Sequence, residues 1–278
     1  MKHLPIDDEE EMPAEDKRSA MGFLDHLEEL RWTLFKCAAA FFVAVVIIGV
    51  FLKGASEVMN MPYERATAAL GIESGGLFMT SPMGVFSVLI QVCFVGGLGL
   101  SLPFMLFFLG RFVAPALKKE EIGMLLPACF VAFILFLSGA AFSYFFIVPE
   151  ALKFSIRLNQ MLGFEIIWSA DRYYGLLVWT VLGMGFCFQF PLIVYILVYL
   201  RIVTTDKLIK VRPYMIVFFF VMGMILTPTW DPVTQTMVAV PMWLLYELSL
   251  FLARRLERRR INELEDELGE IEEDEGED

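Results

Sequence analysis

The sequence predicts an all-α integral membrane protein with six transmembrane helices, and three observations carry that prediction. Apolar residues make up 58% of the 278-residue chain and its mean hydropathy is +0.64, whereas a soluble domain is about one half apolar. Apolar runs recur along the chain, several of them reaching the roughly 20 residues that a helix rising 1.5 Å per residue needs to cross a ~30 Å hydrocarbon core. The basic residues between the runs are distributed unevenly, which fixes an orientation.

Residues 1–21 come first, with seven acids and three Lys or Arg. They lack an apolar core and a small-residue cleavage pattern, and so read as an acidic cytosolic leader instead of a signal peptide. A helical segment at 22–36, GFLDHLEELRWTLFK, enters the first long run at about Leu34 to Leu52. The next three runs are about Val85 to Leu109, Met124 to Val148 and Tyr173 to Leu200. Two shorter ones follow at Tyr214 to Leu226 and about Met237 to Ala253, separated by TPTWDPVTQ. At about 13 residues the fifth covers only roughly 20 Å and suits a locally thinned bilayer. The membrane unit is thus 22–255. The remainder, 256–278, is charged: residues 261–278 carry eleven acids and no base, and self-repulsion predicts a solvated, disordered cytosolic tail.

The formal charge of -11 therefore resides in the ends. With six spans and a cytosolic N-terminus, the inside segments hold seventeen Lys or Arg and the outside segments five, namely Lys53, Arg65, Lys153, Arg157 and Arg172. Both termini are then cytosolic, as the positive-inside rule requires. The outside loop from Lys53 to Gly84 has the length for a cap with short helices, and the second outside loop, PEALKFSIRLNQMLGFEIIWSADR, has the periodicity of a surface-lying helix. The four cysteines each fall in an apolar segment and read as small buried hydrophobes.

Around the 22–36 helix, Phe23, Leu27, Leu30 and Leu34 share one stripe, while Asp25, Glu28, Glu29 and Trp32 lie on the opposite side. The acids are either a solvated face or a patch suited to a guanidinium, whose flat fork matches a carboxylate. Glu120 and Glu121, in the first cytosolic loop, face the same compartment, although Lys118 and Lys119 are alternative partners for them. Inside the membrane, Gln189 and Glu247 are costly unless they face the bundle or a wet cavity. Gln189 is either a site residue or an interhelical hydrogen bond. Pro103, Pro127, Pro191 and Pro241 favour kinks.

The only histidines are His3 and His26, and no GxxxxGKS loop occurs. No span can then supply haem ligands or a His metal site, and ATP has no phosphate loop. These absences argue against an enzyme, and no cofactor, metal or nucleic acid is expected.

Several motifs, in order, resemble the TatC family, the receptor subunit of the twin-arginine protein translocase. They are HLEELR before the first span, SPMGVF before the second, FVAPALKKEE after it, FSYFFIVPEALKF ending the third, FQFP in the fourth, RPY before the fifth, and LTPTWDPVTQTMVAVPMWLLYE through the last outside loop. The resemblance implies a concave, glove-shaped bundle in the bacterial inner membrane, recognition of twin-arginine signal peptides on folded precursors, a complex of several copies with TatB and TatA, and export driven by the proton-motive force. It assigns signal-peptide binding to Glu29 and Glu121, with Arg31 orienting the acids. It assigns an intramembrane polar or partner contact to Phe188, Gln189 and Pro191. Pro82, Tyr144, Pro149 and Asp231 fall in its outside cap and loop motifs. The family pattern often has Glu where Gln189 stands, and a neutral amide cannot relay a proton. The rival reading is a small-solute secondary transporter with Glu247 and Gln189 at a midplane site, for which no repeat symmetry is visible.

Overall fold

The computed structural model describes residues 23–72, 76–114, 123, 125–164, 168–227 and 231–276, with the backbone alone described at 23–25, 260 and 263–276. Among the described residues the chain forms helices α1 (Phe23–Val50), α2 (Leu52–Ala69), α3 (Gly84–Val113), α4 (Leu125–Phe142), α5 (Val148–Leu162), α6 (Ala170–Cys187), α7 (Phe190–Tyr199), α8 (Thr205–Leu226) and α9 (Pro232–Gly276). A π-helical turn at Ser143–Ile147 joins α4 to α5. Six helical stretches are long and apolar enough to cross a membrane: His26–Val50, Gly84–Val113, Leu125–Leu162, Ala170–Tyr199, Thr205–Leu226 and Pro232–Arg259. The six-span, all-α class is the one the composition and run lengths predict.

The entry helix and the first span are one continuous helix, α1. Its burial pattern inverts that of a soluble amphipathic helix. Thr33, Cys37 and Ala44 are buried, while Leu27, Leu30, Leu34 and Phe35 are exposed. In hydrocarbon an exposed leucine costs nothing, so small and polar residues mark the protein-facing side. That side packs antiparallel on α3. Phe41 meets Phe94 edge to face, Cys37 lies opposite Met105, and Gly97 receives Val45. A Cβ added at Gly97 would lie 2.6 Å from Val45 Cγ2 and 3.2 Å from the Val45 Cα, so glycine is what permits this separation of the backbones. Gly139 serves the same purpose between α4 and α6, where a Cβ would sit 2.7 Å from the Met184 carbonyl oxygen.

The segment between the first two spans forms a cap over one end of the bundle. Hydroxyls tie α2 to the helices beneath it. Tyr173 donates to the Met59 carbonyl at 2.6 Å, Tyr174 to Asn60 Oδ1 at 2.9 Å, and Tyr144 to the Val58 carbonyl. The connections before α3 and before α6 meet where Phe78 exchanges backbone bonds with Trp168 (2.9 Å) and Ala170 (2.8 Å). The second loop departs from expectation, because α5 continues the third span through the π turn and buries Val148, Pro149, Ala151, Leu152 and Ile156.

The fifth and sixth spans form a hairpin. The helix α8 begins at Thr205, so it is 22 residues long and carries the charged turn Asp206–Arg212 ahead of the short apolar run. Its open N-terminus is capped from α9, where Glu257 accepts from the Thr205 N–H at 3.2 Å and from the Thr205 hydroxyl. Tyr246 donates to the Leu208 carbonyl at 2.6 Å. The helix α9 then runs unbroken past the boundary at 255/256 as far as Gly276, where a disordered tail was expected. Glu, Leu and Arg are strong helix formers. Ile261, Leu264, Leu268 and Ile271 also recur at three- and four-residue spacing, a local pattern that the composition of the tail conceals.

The α1–α3 crossing yields a test. Gly97→Leu is expected to lower stability by about 1–3 kcal/mol through overpacking, read as a lower melting temperature of the purified protein. Gly99→Leu, where an added Cβ meets nothing within 4 Å, is expected to leave it unchanged.

Candidate functional site

The first turns of α1 lie beside the last turn of α3, at the end of the bundle opposite the cap. Glu29 lies on the packed face of α1 together with His26 and Thr33, not on the exposed face with Glu28. The Glu29 side chain is half-buried, and its Oε2 is shut off from solvent with no hydrogen-bond partner among the described residues. A buried acceptor without a donor costs about 1–3 kcal/mol, and more when charged. A donor arriving at this carboxylate would recover that cost. Beside it, the His26 ring stacks on Phe112 of α3, with centroids 4.6 Å apart and planes inclined by 16°.

Arg31, expected to orient the acids, is exposed and forms no ion pair among the described residues. Residues two apart on a helix do not face one another, so Arg31 is turned away from Glu29. The Asp25 side chain, Lys118, Lys119, Glu120 and Glu121 all lie outside the described residues, so the pairing of Glu29 with Glu121 remains an expectation of the resemblance.

The fourth span breaks in two at FQFP. Pro191 has no N–H for the carbonyl four residues back, and its ring crowds that carbonyl. That carbonyl belongs to Cys187, the last residue of α6, and Pro191 sits in the first turn of α7. Gln189 occupies the break and spends its amide within the bundle, donating to the Ala132 carbonyl of α4 at 2.8 Å, an interhelical bond worth about 1 kcal/mol. Phe188 is buried in contact with Gly139. Pro103 and Pro241, by contrast, lie inside unbroken helices.

Glu247 has a partner. Arg212 of α8 donates from Nη2 to Glu247 Oε2 at 2.6 Å, with side chains 36% and 29% exposed. Reading residues 205–213 as the loop before the fifth run hid this pair, and continuing the helix through RPY would have revealed it. Asp231 is likewise structural in its contacts. It is buried at the start of α9, where the Thr234 N–H donates to Oδ2 at 2.7 Å and the Thr234 hydroxyl to Oδ1. Asp followed by Pro at the first helical position is an N-terminal signature that DPVT displays in the sequence. At the cap end, Pro82 is exposed in the turn before α3, Tyr144 holds α2 from the π turn, and Pro149 is buried in the first turn of α5.

Apolar grooves separate the helices. One of about 510 Å³ runs between α4, α7 and α9, lined by Val131, Pro191, Tyr195, Leu245 and Leu252 among others. Such recesses give the bundle its concave surfaces.

The fold and these contacts define a multi-pass α-helical membrane protein in which Gln189 and Glu247 are bonded within the bundle and a half-buried Glu29 oxygen has no partner among the described residues. The family model "Sec-independent protein translocase protein (TatC)" matches residues 25–241. The chain is 32% identical to the Sec-independent protein translocase protein TatC of Aquifex aeolicus (strain VF5), over 86% of this chain and 98% of that one. It is 31% identical to TatCy of Bacillus subtilis (strain 168), over 87% and 92%. A crystal structure of the twin arginine translocase receptor TatC superposes with a TM-score of 0.69 at 32% identity, covering 82% of this chain and 98% of that one. The chain belongs to the TatC family, components of the Sec-independent (Tat) protein translocase.

The Arg212–Glu247 pair separates a structural from a transport role. Breaking it with Arg212→Met is expected to cost about 1–3 kcal/mol, less than a fully buried pair because both groups are about one-third exposed. The double variant Arg212→Met/Glu247→Leu is expected to recover most of that loss in a thermal melt.

Proposed function

We propose that this chain is the signal-peptide receptor and core scaffold of a twin-arginine translocase. The single observation that carries the proposal is the half-buried Glu29 carboxylate, one oxygen of which has no donor among the described residues, at the end of the bundle where the basic residues concentrate. A guanidinium supplies two parallel donors to a carboxylate and carries its charge at any physiological pH. An ammonium cannot reproduce that fork, which accounts for a preference for arginine. One arginine of the peptide binds Glu29, the other binds Glu121, and the peptide's apolar stretch follows a groove of the bundle. The names of the relatives support the same reading, since a solved neighbour is described as a twin arginine translocase receptor.

The seventeen-to-five bias in Lys and Arg supports cytoplasmic termini and residence in a bacterial inner membrane. On this reading 1–21 and 256–278 are cytoplasmic extensions of the 22–255 membrane unit. The protein acts as a binding scaffold without catalysis or cofactor. It works in a complex with further copies of itself and with the single-span partners TatB and TatA, and the proton-motive force drives transport. Phe188, Gln189 and Pro191 shape a partner-facing span, and Gln189 relays no proton because an amide does not ionise. The solute-transporter alternative loses its midplane site, since Gln189 and Glu247 are both bonded within the bundle.

Glu29→Gln and Glu121→Gln are each expected to weaken binding of a twin-arginine signal peptide by about 10- to 100-fold, the worth of a charge-assisted bond, with membrane insertion intact. Unchanged binding in both variants would overturn the receptor assignment. Uptake of small solutes by liposomes containing this chain alone would favour the transporter instead.

A further inference from the structure

We infer that the groove between α4, α7 and α9 is a site for one anionic phospholipid, with an acyl chain in the groove and the phosphate on the arginines at its open end. The inference needs only the six spans and is independent of the receptor reading. At about 510 Å³ the groove falls within the range of sites for small organic ligands. It starts at Pro191, where the fourth span breaks, and follows α7 to Leu200. From one to the other the helix rises about 14 Å, close to one leaflet's half of a ~30 Å hydrocarbon core. The walls are apolar, with Val131 and Leu135 on α4, Leu192 and Ile196 on α7, and Leu248 and Leu252 on α9. Helices that dock in a membrane meet through small residues. This lining is mostly Leu, Val and Ile, and so suits a flexible chain better than a helix.

The open end, opposite the cap, carries positive charge. On α9 the lining positions Leu245, Leu248 and Leu252 continue on the same helical face to Arg255. The other face is committed to the bundle, with Tyr246, Leu250 and Ala253 buried and Glu257 capping α8. Arg201 follows Leu200 directly. Both arginines are exposed, and neither forms an ion pair among the described residues. Arg201 is also the one non-glycine among the described residues with a positive φ, at 59°. It closes α7 in a Schellman turn, its N–H donating to the Val198 carbonyl at 3.0 Å and the Ile202 N–H to the Leu197 carbonyl at 3.0 Å. That place ordinarily takes glycine, as Gly163 does at the end of α5 with a φ of 75°. A charge bias across the membrane is served by an arginine anywhere in this connection, so it does not account for one held in a strained conformation, and such strain concentrates at binding sites. A guanidinium offers phosphate two parallel donors, and basic pockets between spans hold anionic headgroups in the same way.

The test uses the full-length protein in mild detergent, stripped of native lipid. Phosphatidylglycerol or phosphatidylcholine with the same acyl chains is titrated in, and bound lipid is counted by native mass spectrometry. The parent is expected to hold one phosphatidylglycerol about 25-fold more tightly than phosphatidylcholine, each arginine supplying about fivefold. Arg201→Gly is expected to reduce that preference about fivefold without lowering the melting temperature of the lipid-free protein, since glycine adopts a positive φ readily. Arg201→Gly/Arg255→Gln is expected to bring the two affinities within about twofold. Ala128→Phe, which fills the groove and leaves the arginines in place, is expected to weaken phosphatidylglycerol binding about tenfold. Should that variant melt below the parent, Ile196→Trp carries the same expectation. Equal retention of both lipids by the parent, a preference that survives loss of both arginines, or parental binding in both groove-filled variants would overturn the inference. So would full competition by water-soluble glycerophosphoglycerol, the mark of a bare anion site, or a dimer that retains no lipid and is lost in Ala128→Phe, the mark of a second copy seated in the groove.

Discussion

The close antiparallel approach of α1 to α3 is the constraint from which the rest of the architecture takes its positions. Water supplies no hydrophobic drive between helices inside a bilayer, so association depends on packing and on polar contacts. Gly97 lets Val45 seat against the α3 backbone, and the aromatic pairs Phe41–Phe94 and His26–Phe112 extend the contact toward one end. Along this seam the small and polar residues of α1 face inward and its leucines face lipid. Glu29 is carried to the packed side by the same helical phase. A carboxylate that composition alone would place in solvent is thereby held half-buried, with an oxygen that has no donor among the described residues.

Elsewhere several polar groups of the spans bond within the bundle, although Gln91 Oε1, Ser143 Oγ and Arg212 Nε are buried with no partner among the described residues. Gln189 bonds the Ala132 carbonyl across helices, Arg212 pairs with Glu247, Trp179 Nε1 donates to the Ile225 carbonyl at 3.1 Å, and Gln235 to the Phe220 carbonyl at 2.9 Å. Each bond removes a cost that hydrocarbon would otherwise impose. The same logic governs the breaks. Pro191 splits the fourth span and Gln189 bridges the gap to α4, while Asp231 and Glu257 cap the helices of the last hairpin.

Span number and approximate ends were legible in the sequence because they depend on the length and hydropathy of apolar runs, both local quantities. The helical phase of Glu29 was legible as well, but its environment was not. In water an apolar stripe marks the buried face, whereas α1 turns Leu27, Leu30 and Leu34 outward, and only the position of α3 decides which side is packed. Arg212 escaped notice because a charged turn before an apolar run resembles a loop, although the helix continues through it. The cap on α8 from Glu257 joins residues 52 apart in sequence, beyond any local pattern. DPVT was a readable start of α9 that the family resemblance overshadowed, and the helical spacing of Ile261, Leu264, Leu268 and Ile271 was readable beneath the charge of the tail.

At the centre of this account is a direct bond between Glu29 and an incoming guanidinium. A double-mutant cycle measures it most directly: Glu29→Gln in the protein against arginine→citrulline, a neutral isostere, at each position of the peptide's arginine pair, with affinities taken in nanodiscs. A coupling of about 1.5–3 kcal/mol, the range for hydrogen bonds to charged groups, is predicted at one of the two arginines. Additive losses at both positions would mean that Glu29 and the arginine pair act independently, and would contradict it.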